Sequence, residues 1–429
     1  MKTKEDILAV IEEEDIEFIR LQFTDIRGNL KNLAVTPGQL SRVVKNRCSF
    51  AGSTLFDNAW DYPEELYLHP DLDSFVVLPW RPQQNKVAKL VCDVYTEEGV
   101  PFYLSPRRIL KNTLKAAADK GYSFWIDPEC EFFLFHADEN GLPTTITHER
   151  AGYMDVGPTD FGENARREIV LMLEEMGFEI EYSHHESAPA QHEVKFKEQE
   201  ALHMADSLQT FRFAVRSVAK RFGLYATFMP KPRSDTAGSG MHLGFALVKD
   251  GKNLFRGPDG CVTDTALHFM GGILQHGPAL TALGCPTVNS YKRLLSGYDA
   301  PDRINWSRRG EDSFVKLVHN QEDTKVELRF PDGASNPYLL LAGCIAAGID
   351  GVEQGMDPGE DCREPGARKG NMVPLTLKDA LIALQEDDLV RATLGEDFTR
   401  IFADIKNKEW RRYMTSVSEW ELDTYLTRL

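Results

Sequence analysis

Apolar and polar residues alternate near the start of the chain. Ile19, Leu21 and Phe23 are separated by Arg20 and Gln22, the period of a strand with one buried face. Asp25-Ile-Arg-Gly28 supplies turn residues, and strand character resumes from Leu30 to Val35, so the pair predicts a hairpin. Ahead of it, residues 5–14 predict a short acidic helix. Phe75-Val-Val-Leu78 and the run from Val87 to Val94 predict two further strands. Ser105-Pro106 then opens a helix through Ala118, with proline near its first turn. The boundary between a first and a second domain falls near residue 104.

The second domain alternates strands with long helices. From Gly162 to Met176, residues Ile169, Met172, Leu173 and Met176 recur at i, i+3, i+4 and i+7, which makes one apolar helical face. Those methionines read as core rather than as a cofactor site. Phe211 to Phe222 and the segments after residue 335 repeat that pattern. Tyr338 to Val352 is the most apolar late stretch. It is interrupted by Gly343, Gly348 and Asp350 and is too short to span a bilayer, so it reads as a packed helix. Residues 355–371, rich in glycine, proline and charge, predict a surface loop. Pattern alone predicts an α+β protein of two domains.

Three segments place acidic residues at strand spacing: Asp127-Pro-Glu-Cys-Glu-Phe-Phe133, His184-His-Glu-Ser-Ala-Pro-Ala-Gln-His-Glu193 and Lys325-Val-Glu-Leu-Arg-Phe330. Side chains two apart on a strand share a face. Glu129 and Glu131 therefore face one side, and Lys325, Glu327 and Arg329 line another wall. Two glutamates on a strand are ordinarily its solvated face. Here they run straight into Phe132-Phe-Leu-Phe135, a stretch apolar enough to be buried on both faces, where charge needs a partner. Clustered carboxylates repel one another unless divalent cations bind between them. His242 alone reads as a packed histidine, but the approach Gly238-Ser-Gly-Met-His242 lets backbone come close to a ligand.

Composition narrows the partners. The 429 residues carry 49 basic and 66 acidic side chains, a net charge of −17, which argues against nucleic acid or an anionic membrane as the main partner. Seven scattered cysteines (48, 92, 130, 261, 285, 344 and 362) form no Cys-x-x-Cys pair. They indicate neither a disulfide scaffold nor a thiolate metal site, and the natural compartment is a reducing cytoplasm. The charged N-terminus, Met-Lys-Thr-Lys-Glu-Asp6, shows no signal-peptide core.

Longer runs carry a resemblance: Arg20-Leu-Gln-Phe-Thr-Asp25, Thr159-Asp-Phe-Gly-Glu-Asn164, Glu174-Glu-Met-Gly-Phe-Glu-Ile180, Ala226-Thr-Phe-Met-Pro-Lys-Pro232, Pro286-Thr-Val-Asn-Ser-Tyr-Lys-Arg293, Asn336-Pro-Tyr338 and Ala347-Gly-Ile-Asp-Gly351. From about residue 5 to its end the chain resembles class I glutamine synthetase, most closely the shorter bacterial and archaeal type. The resemblance implies a small N-terminal β-grasp domain (1–104) and a larger catalytic domain (105–429) with an antiparallel sheet and packed helices. It also implies a homo-dodecamer with active sites between subunits. Glu131, Glu186 and Glu193 are then expected to hold one Mg²⁺ or Mn²⁺. Glu129, His242 and Glu327 would hold a second, among two or three ions per site that screen the phosphates of the substrate ATP. Oxygen ligands with a single imidazole suit those ions. Glutamate is expected at Arg293, Arg329 and the backbone of Gly238, and Asp299 is expected to be catalytic with both arginines. Tyr153, Glu181, Phe196, Lys316 and Lys325 match nucleotide-site positions.

Departures from the family pattern bear on the second substrate. The loop whose aspartate binds ammonium reads Phe50-Ala-Gly-Ser-Thr54, so Ala51 has no carboxylate. The glutamate of Gly-Tyr-Glu-Ala-Pro is Asp299, one methylene shorter, and the loop asparagine is Ala237. Glu311 stands where the family has an arginine, with Arg308 and Arg309 as nearby substitutes. Trp60 aligns with an arginine linked to feedback inhibition and offers an apolar wall for an amine. The adenylylation tyrosine of longer relatives is absent from 355–371. Glutamine synthesis from ammonia and ligation of an organic amine are both compatible with this pattern. The alternative is a non-catalytic glutamine-synthetase-like regulatory or assembly protein that binds nucleotide or glutamate.

Overall fold

A computed structural model of the chain describes residues 2–81, 84–367 and 369–428. The chain begins with helix α1 (Lys4–Glu13), started by a reciprocal capping box between Thr3 and Asp6. Strands β1 (Ile16–Thr24) and β2 (Leu30–Val35) form an antiparallel hairpin. Asp25 shapes its turn by accepting hydrogen bonds from the backbone N–H groups of Arg27 (2.9 Å) and Asn29 (2.8 Å). Ile19 and Leu21 are fully buried and Phe23 nearly so, as the alternation requires. After α2 (Leu40–Val43) come β3 (Cys48–Ala51), β4 (Glu65–Val77) and β5 (Lys86–Tyr95). The sheet order is β2-β1-β5-β4-β3, parallel only at β1/β5, which is a β-grasp arrangement. β4 starts ten residues before the apolar run at Phe75, because Leu66 and Leu68 already face the core ahead of the charged stretch at Asp71 and Asp73.

Helix α3 (Pro106–Ala118) leads into β6 (Ser123–His136), α4 (Glu163–Glu175), β7 (Ile180–His185), β8 (Gln191–Phe196) and β9 (Gln199–Glu200). Helix α5 (Ala201–Ala219) starts ten residues earlier than the run at Phe211 suggests, since Met204, Ala205 and Leu208 extend the same buried face. Then follow β10 (Leu224–Thr227), β11 (Met241–Lys249), β12 (Lys252–Asn253), α6 (Asp264–Gln275), α7 (Gly277–Gly284) and α8 (Val288–Leu294). Strands β13 (Arg303–Ile304), β14 (Trp306–Ser307), β15 (Val315–His319) and β16 (Thr324–Leu328) precede α9 (Pro337–Gln354), β17 (Asn371–Met372) and helices α10 (Leu377–Glu386), α11 (Asp388–Leu394), α12 (Glu396–Met414) and α13 (Glu419–Tyr425).

The larger sheet runs β14-β15-β16-β11-β6-β8-β7, with β9, β10 and β12 paired at its margins. It is antiparallel except at β14/β15, so it is a mixed sheet rather than a purely antiparallel one. Helices back it. α9 and α6 cross so closely that a Cβ on Gly272 would lie 2.0 Å from the Ala347 carbonyl oxygen, and one on Gly348 would lie 1.9 Å from the Phe269 ring. His276, between α6 and α7, pins this layer through Asp387 (2.7 Å) and Asp350 (3.3 Å).

A buried polar seam joins the two sheets. Arg107 donates to Asp71 (2.8 Å) and Asp93 (2.7 Å) of the first sheet and to Asp206 (2.8 Å) of α5. The Tyr338 hydroxyl also donates to Asp206 (2.6 Å). Gln209 donates to the Thr24 hydroxyl and the Gly28 carbonyl, both at 3.0 Å. Lys89 donates to the Thr210 hydroxyl at 2.8 Å, and burial pushes its ammonium down to about 8.

Candidate active site

Register on the larger sheet gathers the acidic residues. His242 on β11 pairs with Glu129 on β6, Glu131 pairs with Glu193 on β8, and Glu327 on β16 pairs with Gly244. Because Glu129 and Glu131 are two apart, they share a face, and the paired residues on neighbouring strands share it too. The result is a cleft of about 480 Å³ lined by Glu129, Glu131, Glu186, Glu193, His242 and Glu327, together with Tyr153, Arg293, Asp299, Lys316 and Arg329.

Two candidate ion positions lie within it. Ligand atoms of Glu129, His242 and Glu327 all fall within 4.8 Å of one another. So do those of His184, Glu186 and Glu193. Glu131 lies between them, 3.7 Å from His242 Nε2, and accepts hydrogen bonds from Gln191 Nε2 and the Gly240 N–H, each at 2.9 Å. Burial, with Glu131 and Glu193 alongside, pushes the Glu186 carboxyl up to about 8. Such crowding is what a divalent cation relieves, and the oxygen-rich donor set fits a hard cation. Glu129 moves the other way. Burial opposes its ionisation, but His242 and Lys195 outweigh that and hold it well below the usual carboxylate range.

The glycine loop is sterically required. A Cβ on Gly238 would lie 2.2 Å from the Pro230 carbonyl oxygen, and one on Gly240 would lie 2.7 Å from Arg293 and 2.9 Å from His242. A further buried group, Glu149–His185–His192, lies behind the cleft. His185 donates to the Glu186 carbonyl (2.6 Å) and to Glu149 (2.9 Å). Arg166, which can only donate, faces His192 Nδ1 at 2.7 Å. The His192 proton therefore sits on Nε2, where a metal would need a lone pair, so this group orients Glu186 and is not an ion site.

Both arginines are already engaged. Arg329 donates Nε to the Glu311 carbonyl (2.7 Å), Nη2 to the Glu311 carboxylate (3.1 Å) and Nη1 to Glu327. Lys316 pairs with the other Glu311 oxygen at 2.5 Å. Burial tends to raise the Glu311 carboxyl, but Lys316 and Arg329 hold it below the ordinary range. Arg293 is 3% exposed and donates to the Phe330 (2.8 Å), Pro331 (3.2 Å) and Arg329 (3.0 Å) carbonyls. Neither Arg308 nor Arg309 lines the cleft. The Arg308 guanidinium lies 5.9 Å from the Trp306 ring.

Several expected residues lie elsewhere. The Phe196 side chain is fully buried in the core against Phe178 and Phe211, with ring centroids 5.1 and 5.6 Å away. Lys325 is held by Asp127 (3.0 Å) and Glu198 (2.9 Å), so only Glu327 and Arg329 of its strand face line the cleft. A register shift between Ile180 and Tyr182 turns Tyr182 and His184 into the cleft and leaves Glu181 exposed, 3.8 Å from Lys195. Ala51 lies exposed at the end of β3. The Trp60 ring meets the cations of Arg400 (5.3 Å) and Lys408 (5.9 Å). Neither lines the cleft of its own chain. Sequence reasoning missed Tyr182, His184, Gln191 and Tyr298. The first two stand four and two residues before Glu186, so the period of a strand is the signal that places them on its face.

Comparison with known proteins agrees with this geometry. Residues 103–425 match the family model described as glutamine synthetase, catalytic domain, and residues 15–97 match glutamine synthetase, beta-Grasp domain. The chain is 44% identical over 438 residues to a glutamine synthetase of Clostridium saccharobutylicum, covering 99% of each chain. It is 43% identical over 437 residues to that of Staphylococcus aureus strain N315, covering 99% of this chain and 98% of that one. Among solved structures, a GmaS/ADP complex superposes with a TM-score of 0.89 at 33% identity, covering 98% of this chain and 99% of that one. GmaS without ligand gives 0.87 at 34% identity with the same coverage.

Proposed function

The chain belongs to the glutamine synthetase family, and we propose that it is an ATP-dependent ligase joining the side-chain carboxylate of glutamate to ammonia or a small amine, with ADP and phosphate as products. The observation that carries this reading is the convergence of Glu129, His242 and Glu327 beside Glu186 and Glu193 in one cleft. These residues, with Glu131, would hold two or three Mg²⁺ or Mn²⁺ ions, whose charge screens the ATP phosphates from the approaching carboxylate. Lys316 and Arg329 lie where they can meet an anion once Glu311 releases them. Arg293 holds the Arg329–Pro331 backbone in place, and the backbone of Gly238, which lines the cleft, is proposed to bind glutamate. Tyr153 and Glu181 are proposed near the nucleotide. Lys325 and Phe196 support it from behind, the one through Asp127 and the other through the core.

In this reading the glutamate carboxylate attacks the γ-phosphorus of ATP, giving γ-glutamyl phosphate and ADP. The amine nitrogen then attacks the acyl carbon, the bond to phosphate breaks, and Asp299 takes the proton from nitrogen. We further propose residues 1–104 and 105–429 as the two domains of a cytoplasmic homo-dodecamer, in which the Ala51 loop serves a neighbouring cleft. The exposed position of Ala51 outside its own cleft and the free state of the seven cysteines support this.

A second reading, a non-catalytic protein that binds nucleotide or glutamate, is favoured by one observation: Glu311 occupies both Arg329 and Lys316. Phosphate release and amide formation, measured with ATP, Mg²⁺ and glutamate across ammonium and primary amines, separate the two. The ligase reading expects glutamate-dependent phosphate release with amide formed from at least one amine. No amide from any of them selects the non-catalytic reading.

A further inference from the structure

Lys231 is a buried cation with no role so far. Its side chain is 6% exposed, and no carboxylate pairs with it among the described residues. Such a charge is costly to bury unless its donors are used. Its backbone is fixed to α8, because Lys231 N–H donates to the Asn289 side-chain oxygen (2.7 Å) and Asn289 donates back to the Lys231 carbonyl (3.0 Å). From there the ammonium reaches two loops at once. It donates to the Thr236 carbonyl and lies 4.2 Å from the Tyr298 ring centre. The Tyr298 hydroxyl closes the ring of contacts by donating to the Asp235 carbonyl at 3.2 Å.

The two loops are the ones that matter. One carries Gly238, whose Cα lies so close to the Lys231 stem that an added Cβ would be 3.3 Å from its Cδ. Gly238 in turn accepts from Gln191 (3.1 Å), which donates to Glu131. The other loop carries Asp299, whose φ of +37° is a left-handed conformation. Neighbours must hold a non-glycine residue there. Its adjacent residue Tyr298 is the one that Lys231 holds.

We propose that Lys231 is a positioning residue that latches the Asp299 loop to the Gly238 loop, so that the amine, rather than water, captures the acyl phosphate. This rests on the ligase reading above. With the latch intact, the amine nitrogen displaces phosphate from the acyl carbon and Asp299 takes the proton. With it broken, water attacks the same carbon, and glutamate and phosphate are released without amide. The latch acts through other residues and touches no reacting atom.

The full-length protein with Lys231→Met, which keeps the stem and removes the charge, and with Lys231→Arg tests this. Amide formed per phosphate released is measured with ammonium and methylamine, and hydrogen exchange is followed across residues 295–301. Lys231→Met should lower the amide-to-phosphate ratio by about threefold or more and speed exchange in that segment. Lys231→Arg should keep both, since a guanidinium can donate to Thr236 and stack on Tyr298. Tyr298→Leu, at an exposed site, breaks the same contact from the other side and should match Lys231→Met. An unchanged ratio with unchanged exchange in either variant overturns the latch. If wild type makes no amide, the ligase reading fails, and the exchange comparison alone decides the latch, with unchanged exchange overturning it.

Discussion

Glu311→Gln should tighten, not weaken, the binding of anionic substrate. In the resting cleft the Glu311 carboxylate lies 2.5 Å from Lys316 and 3.1 Å from Arg329, two cations suited to a phosphate or a carboxylate. An incoming anion must therefore displace it. The Glu311 side chain is 53% exposed, so each contact is screened by water and contributes about 0.5–1 kcal/mol rather than the value of a buried pair. Removing both contacts frees ~1–2 kcal/mol for the ligand, or roughly 5- to 30-fold in affinity. Glutamine keeps the shape, and Arg329 keeps its Glu311 carbonyl and Glu327 partners, so the local fold should survive. Calorimetric titration of Mg²⁺-ADP and of glutamate into wild type and Glu311→Gln reads the effect directly. The gap should narrow as salt rises, because exposed pairs are screened. A variant that binds both ligands equally well would show that Glu311 does not compete with them, and one that binds both more weakly would show that it supports the site.

Three further outcomes follow from other parts of the molecule. Ala51→Asp should lower the apparent KM for ammonium, since a charge-assisted hydrogen bond contributes about 1.5–3 kcal/mol, roughly ten- to hundredfold; initial rates across ammonium concentrations check it. Gly348→Val should destabilise the fold by about 1–3 kcal/mol by forcing side-chain atoms into the Phe269 ring, read as a lowered denaturation midpoint. For His276, burial lowers the pKa, but the hydrogen bonds to Asp387 and Asp350 outweigh it and raise the pKa above the ordinary value. The stability this supplies is complete below the unfolded pKa and is lost as pH rises through the raised folded one. The melting temperature lost in His276→Asn should therefore be larger near about pH 6 than near about pH 9, and an equal loss at both would refute the charge assignment.

How much was legible depends on how local each feature is. The hairpin at Asp25 and the helix opened at Pro106 follow from alternation and turn chemistry within a few residues. The shared face of Glu129 and Glu131 follows from strand period alone. Glu181 is expected at the nucleotide through the family resemblance, and the register shift at Ile180–Tyr182, which leaves Glu181 exposed and turns Tyr182 to the cleft, has no signature in strand period. Lys325 shares a strand face with Glu327, yet Asp127 on a strand two away captures it, and no spacing rule reports a partner 198 residues distant. Arg293 is expected at a carboxylate through the family resemblance, and its bonds to the backbone carbonyls at 329–331 carry no signature in composition. Phe196 shows the same limit: aromatic residues beside a site stack on a base in some sequences and fill the core in others, and here the neighbouring Phe178 and Phe211 place its ring in the core.

The Arg107 seam has a consequence for how the molecule comes apart. Asp71 and Asp93 from the first sheet, and Asp206 from beneath the second, share one guanidinium that is 4% exposed. Separating the sheets would strip that cation of two acids and leave it with the third alone, a penalty that neither piece can meet by itself. Lys89, whose partner Thr210 lies across the same boundary, adds a second buried charge to the loss. Heating should therefore melt the two sheets in one calorimetric transition, as their shared hydrophobic core also requires. A chain cut after residue 104 should yield two insoluble fragments rather than two folded ones.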